Sequence, residues 1–158
     1  MFREMRRKKQ QLSEEECRQI LEKAKRGVLS VSGDDGYPYG LPLSHYYDPD
    51  SNKIYFHGAK VGHKIDSIRR NDKVSYCVYD EGYRNPGEWA LNFKSVIVFG
   101  RIREIEDQDE AIEICRKLGY KFTDDTDYIE TDIRKNGAYV RCLEITIEHM
   151  TGKAVNES

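Results

Sequence analysis

Polar and apolar positions alternate along this chain with two different periods. Cys17, Ile20, Leu21 and Ala24 recur at i, i+3, i+4 and i+7, the stripe of an amphipathic helix. Ser13 with Glu16 three residues on forms a capping box that starts it, and Gly27 is a C′ residue suited to end it. "VLSVS" (28–32) then reads as a strand and "GDDG" as a tight turn. "YPYGLPLSHYYD" continues extended, its two prolines marking an edge or a bulge, and "DPDSN" turns the chain into "KIYFHGA". Ile65, Ile68 and Arg69 give a short helix ending near Asn71. In "KVSYCVYDE" the period is two, with Val74, Tyr76 and Val78 set against Ser75, Cys77 and Tyr79. "GYRNPGEWALNF" is a Gly/Pro-punctuated loop carrying the single tryptophan. "KSVIVFGRIREIED" is the longest strand, with Gly100 a candidate bulge. "DQDEAIEICRKLGYKF" places Ala111, Ile114, Cys115 and Leu118 on one helical face, and "AYVRCLEITIEHM" closes the pattern as a last strand.

Strands linked mostly by turns, with helices interposed twice, predict an α+β fold: a six-stranded antiparallel barrel with peripheral helices. At 158 residues the chain is read as one domain, 1–158, with 1–11 a flexible flank. Charged residues make up 34%, but the signs nearly cancel to −2, so nothing global points to nucleic acid or an anionic membrane. No apolar run approaches the roughly 20 residues of a membrane span, and no signal peptide is visible. The four cysteines lack metal or disulfide-framework spacing, which predicts inert buried thiols in a reduced cytoplasmic protein and no metal site.

Candidate chemistry concentrates in "FHGAKVGHK" (56–64), where a strand hands over to a helix. Gly58 and Gly62 can take positive φ and let a ligand approach the backbone. The amides opening the next helix are unpaired donors at its positive end, and Lys60, His63 and Lys64 add charge around them. That combination predicts an anion site. It is neither a Walker loop, since Ile65 stands where Ser or Thr would bind magnesium, nor a G-x-G-x-x-G fingerprint. No G-x-S-x-G elbow is present, which disfavours hydrolytic nucleophilic catalysis. The residues alone leave the anion's identity open.

The succession "KRGVLSV", "YPYGLPLSHYYD", "KIYFHGAKVGHKIDSIRRNDKVSYCVYDE", "FKSVIVFGRI" and "EITIEHMTGKAV" resembles the nitroimidazole-resistance family of the pyridoxamine 5′-phosphate oxidase-like flavoproteins. The resemblance runs from about Arg6 to Val155. It implies a split β-barrel that forms a homodimer with FMN bound in a cleft between protomers. By the same resemblance Pro42, Leu43 and Ser44 border the flavin, and His57, Gly58, Ala59 and Lys60 run along its ribityl and ring edge. Gly62, His63 and Lys64 hold its phosphate, and Ser95 and Val96 contact it from a neighbouring strand. The implied activity is FMN-dependent reduction of a small aromatic or nitro compound. Two other uses stay open: a non-catalytic flavin-binding or storage protein, and a haem-handling relative with His45, His57 or His63 as axial ligand.

Overall fold

The computed structural model describes residues 1–158 as seven strands and four α-helices. The strands are β1 (Arg26–Ser32), β2 (Pro38–Ser44), β3 (Tyr46–Asp48), β4 (Lys53–Gly58), β5 (Lys73–Tyr79), β6 (Asn92–Ile105) and β7 (Arg141–Asn156). The helices are α1 (Glu14–Lys23), α2 (His63–Arg70), α3 (Gln108–Phe122) and α4 (Thr126–Asn136). All pairings are antiparallel, in the order β2-β1-β5-β6-β7-β4-β3.

That order requires a curled sheet. Laid flat, seven strands would put β2 and β3 about 29 Å apart at 4.8 Å per spacing. Only His45 separates these two edges in the chain, and two residues of backbone reach at most about 7 Å. The sheet therefore bends until its edges meet, and His45 is the stitch. The extended segment expected over 37–48 is thus two strands on opposite edges, giving seven strands in place of six.

His45 is fully buried at this seam. Its Nε2 lies 2.7 Å from the Leu21 carbonyl, which can only accept, so the proton sits on Nε2. Nδ1 faces the Tyr76 hydroxyl, also at 2.7 Å, whose single proton is shared between Nδ1 and the Leu43 carbonyl at 3.0 Å. Lys121 Nζ donates to the carbonyl of His45 at 2.6 Å and to that of Ala24, fastening α3 across the same seam. Burial pushes Lys121 down to about 8. Burial, and after it the Lys121 charge, push His45 down to about 4, so the imidazole is neutral near pH 7.

Inward positions fill the barrel with Leu29, Ile54, Phe56, Tyr76, Val78, Val96, Val98 and Ile145. The capping box forms as expected: Glu16 N–H donates to Ser13 Oγ while Ser13 N–H donates to Glu16. Gly100 does sit at a register shift, where the extra residue is Glu148 on β7. A Cβ at Gly100 would meet the Thr146 carbonyl. Two further expectations are corrected. Helix α4 adds to the expected elements, and β7 begins at Arg141 and runs to Asn156. Cys17 and Cys142 are buried, whereas Cys77 and Cys115 are only half-buried. Lys8–Gln10 form one 3₁₀ turn and Gln11 bridges to Lys153. No helix is long and apolar enough to cross a membrane.

Candidate functional site

Strand β4 ends at Gly58, and four residues later Gly62 caps α2 with φ 126° and ψ 174°. Only glycine takes that conformation without strain, and a side chain there would otherwise point into open space. Gly62 supplies no side-chain acceptor to the helix. The first intrahelical bond is Asp66 N–H to the Gly62 carbonyl at 3.0 Å, so the preceding amides stay free as donors. Gly58 lies in the strand with ordinary φ, and its role is different from the one expected. A Cβ there would come within 2.9 Å of Lys64 Nζ, so the missing side chain lets the lysine lie across the strand end.

Lys64 is half-buried, and burial alone pushes its pKa down, with no carboxylate offsetting it. An unpaired, partly desolvated cation thus faces the same loop as the uncapped helix start. His57 keeps an exposed edge beside it. The surrounding protein, and second the Lys64 charge, lower the His57 pKa against an opposing pull from Asp132.

Ser44, Arg26 and His57 line a cavity of about 380 Å³ that opens beside this loop. Its far wall is the α3–α4 hairpin, with Ile112, Leu118, Phe122 and Ile129 supplying apolar surface. Tyr128, Asp132 and Asn136 add polar groups from α4. None of these wall residues is among the expected site residues. The available signal is Asp125 as N-cap followed by Ile129 and Ile133 four apart.

The expected residues divide into two sets. His57, Gly58, Ala59, Lys60, Gly62 and Lys64 follow one another from the end of β4 into the first turn of α2, and Ser44 lines the same cavity as His57. Pro42 is exposed on β2, while Leu43 packs on the core. The side chain of Lys60 turns away from the loop to donate to the Ala138 carbonyl at 2.9 Å. His63 stacks on Tyr39 at 4.0 Å and lies 3.6 Å from Asp34, which also takes Arg70. Only the backbone of His63 is therefore available to an anion at the helix start. Ser95 lies on β6, three strand spacings or about 14 Å from β2, and Val96 is wholly in the core. Within one chain these two do not join the first set. Of the three histidines considered as haem ligands, His45 has both nitrogens engaged and His63 is stacked, while His57 opens to the cavity.

The pyridoxamine 5′-phosphate oxidase family matches residues 13–154. The chain belongs to this family. No curated protein matches it. Among solved structures, a candidate 5-nitroimidazole antibiotic resistance protein from Bacteroides thetaiotaomicron superposes with TM-score 0.77 at 20% identity, over 92% of this chain and 87% of that one. A FAD-binding protein from Mesorhizobium loti has TM-score 0.65 at 27% identity, over 92% and 96%. A FAD and heme binding protein from Mycobacterium smegmatis has TM-score 0.75 at 18% identity, over 92% and 73%. The curled antiparallel sheet with its helices is the split barrel of this oxidase family.

Proposed function

We propose that this pyridoxamine 5′-phosphate oxidase-family chain binds FMN and uses it to reduce a small aromatic or nitro compound. The observation that carries the reading is the uncapped α2 start beside unpaired, half-buried Lys64, a built site for a phosphate. Gly62, the His63 backbone and Lys64 hold the phosphate; Ser44, His57, Gly58, Ala59 and the backbone of Lys60 border the ribityl chain and ring. Bound FMN supplies two-electron redox chemistry. The chain supplies orientation and an apolar wall: Ile112, Leu118, Phe122 and Ile129 line the cavity beside His57. With its pKa lowered, His57 is neutral near pH 7 and offers one N–H donor and one acceptor to a substrate.

Native protein is expected to be yellow and to release FMN on denaturation, identified by chromatography against FMN, FAD and riboflavin standards. Release of FAD is the second reading, favoured by the two relatives described as FAD-binding. A colourless protein that takes up neither nucleotide overturns both. A Soret band in the same spectrum would point to haem, and oxidation of a reduced nicotinamide separates an enzyme from a flavin store.

The reading includes a two-fold homodimer. The outward face of β2, β1, β5 and β6 sets Pro42, Val28, Cys77 and Ile97 in one register row, with exposed Phe99 and Tyr79 beside it. Ser95 is on that face too, so it approaches a flavin only across the two-fold. Light scattering is expected to give twice the 18.5 kDa chain mass. A monomer that still holds flavin tightly rejects the dimer.

A further inference from the structure

The two thiols Cys115 and Cys142 stand apart from the flavin reading. Cys115 is on α3 and Cys142 is the second residue of β7, yet their sulfurs are 3.7 Å apart. Cys142 is fully buried, with its thiol within 3.3 Å of the Ala111 carbonyl. Cys115 is half-buried and lines the cavity, which opens it to small solutes. The other two cysteines form no such pair: Cys17 packs under Gly152 and Cys77 faces outward on β5. A disulfide needs its sulfurs at about 2.05 Å, so from 3.7 Å the two must approach by a little under 2 Å.

We propose that Cys115 and Cys142 are a peroxide-responsive dithiol that closes to a disulfide and ties the α3–α4 cavity wall to the barrel. The step balances with one hydroperoxide. The Cys115 thiolate attacks the peroxide, an S–O bond forms, the O–O bond breaks, and the leaving oxygen takes up the thiol proton as water (or an alcohol). The Cys142 sulfur then attacks the sulfenic sulfur; the S–S bond forms, the S–O bond breaks, and a water leaves carrying the second thiol proton. The thiol pair loses two electrons and the peroxide gains them. The order of attack follows from access, since only Cys115 meets the cavity. It also agrees with the electrostatics: hydrogen bonding from Cys142 lowers the Cys115 pKa, while hydrogen bonding to Cys115 and burial raise that of Cys142. The crosslink encloses residues 116–141, which contain the rest of α3 and all of α4. Those are the elements that wall the cavity, so oxidation stiffens the entrance to it.

The test adds equimolar hydrogen peroxide to the folded full-length protein, alkylates the remaining thiols, and maps peptides without reduction. Free thiols are expected to fall from four to two per chain, with one crosslinked peptide joining Cys115 to Cys142. Cys115→Ser abolishes the crosslink while circular dichroism shows the fold retained. Hydrogen exchange over residues 126–136 slows on oxidation and recovers with dithiothreitol. Substitution of buried Cys142 can unfold the chain, so the wild-type map and Cys115→Ser are the deciding measurements. Thiol loss at Cys77 with no 115–142 peptide overturns the proposal, as does a crosslink that appears only after denaturation.

Discussion

Between pH 6.5 and pH 4 the folded barrel is expected to lose about 3 kcal/mol through the single side chain His45, at about 1.4 kcal/mol per pH unit. In the unfolded chain this imidazole takes a proton near 6.5; in the barrel it resists until about 4. Within that window the unfolded state binds more protons, so acid draws the chain toward unfolding. The stability is complete above pH 6.5, falls as pH drops through the window, and levels below pH 4. Two causes make the seam intolerant of charge: burial against α1 and β5, and the ammonium of Lys121 held on the carbonyl of His45 itself. Urea unfolding at about pH 7.5, 6, 5 and 4 measures the slope for wild type and His45→Gln at matched flavin content. An amide can still donate to Leu21 and accept from Tyr76 but cannot take up the proton. The native carboxylates also titrate at the acid end, which is why the difference between the two proteins is the quantity to read. Parallel curves for the two would exclude His45 as the acid trigger.

What was legible in the chain, and what was hidden, follows from the range of the interactions involved. Period-two runs such as Val74, Tyr76 and Val78 report a half-buried strand locally, and they are strand. The Ser13–Glu16 box and the positive φ of Gly62 at the start of α2 are likewise local and formed as expected. The break at His45 is not local. Both flanking segments are extended, and no glycine or proline marks the junction; only the pairing of β2 with β1 and of β3 with β4 divides them. Helix α4 is obscured by composition, because "TDYIETDIRKN" is polar apart from a thin isoleucine stripe. Ser95 and Val96 obey a local constraint as well. Alternation puts neighbours on opposite faces, so the two side chains could not both meet one ligand, and Val96 is the inward one. The glycine-opened start of α2 beside Lys64 is legible because the glycine, the helix start and the lysine are adjacent in the chain. Which side chains turn away from it is not: Lys60 and His63 find partners in Ala138, Tyr39 and Asp34, all remote in sequence.

That division makes Lys64, rather than Lys60 or His63, the residue whose loss is expected to cost the most binding. Its ammonium is half-buried at the strand end with no carboxylate partner, so an arriving phosphate is its first counter-charge. A hydrogen bond to a charged group contributes roughly 1.5–3 kcal/mol. At about 1.4 kcal/mol per decade, Lys64→Ala should weaken FMN tenfold to a hundredfold or somewhat more. Riboflavin shares the ring and lacks the phosphate, so its affinity should hardly move. FAD, which carries phosphate at the same end of the ribityl chain, should weaken with FMN. Gly62→Val should also weaken FMN, for a different reason: a β-branched residue resists φ 126°, and the amides at the helix start lose their alignment. Lys60→Ala is the internal control, since that ammonium is already committed to the Ala138 carbonyl. Fluorescence-quenching titrations of FMN and riboflavin against wild type and the three variants distinguish the cases. If Lys64→Ala leaves both affinities unchanged, the lysine is a solvated loop residue and the phosphate lies elsewhere. Equal losses for FMN and riboflavin would instead mean that Lys64 supports the ring or the fold, because only a contact to the phosphate separates the two ligands.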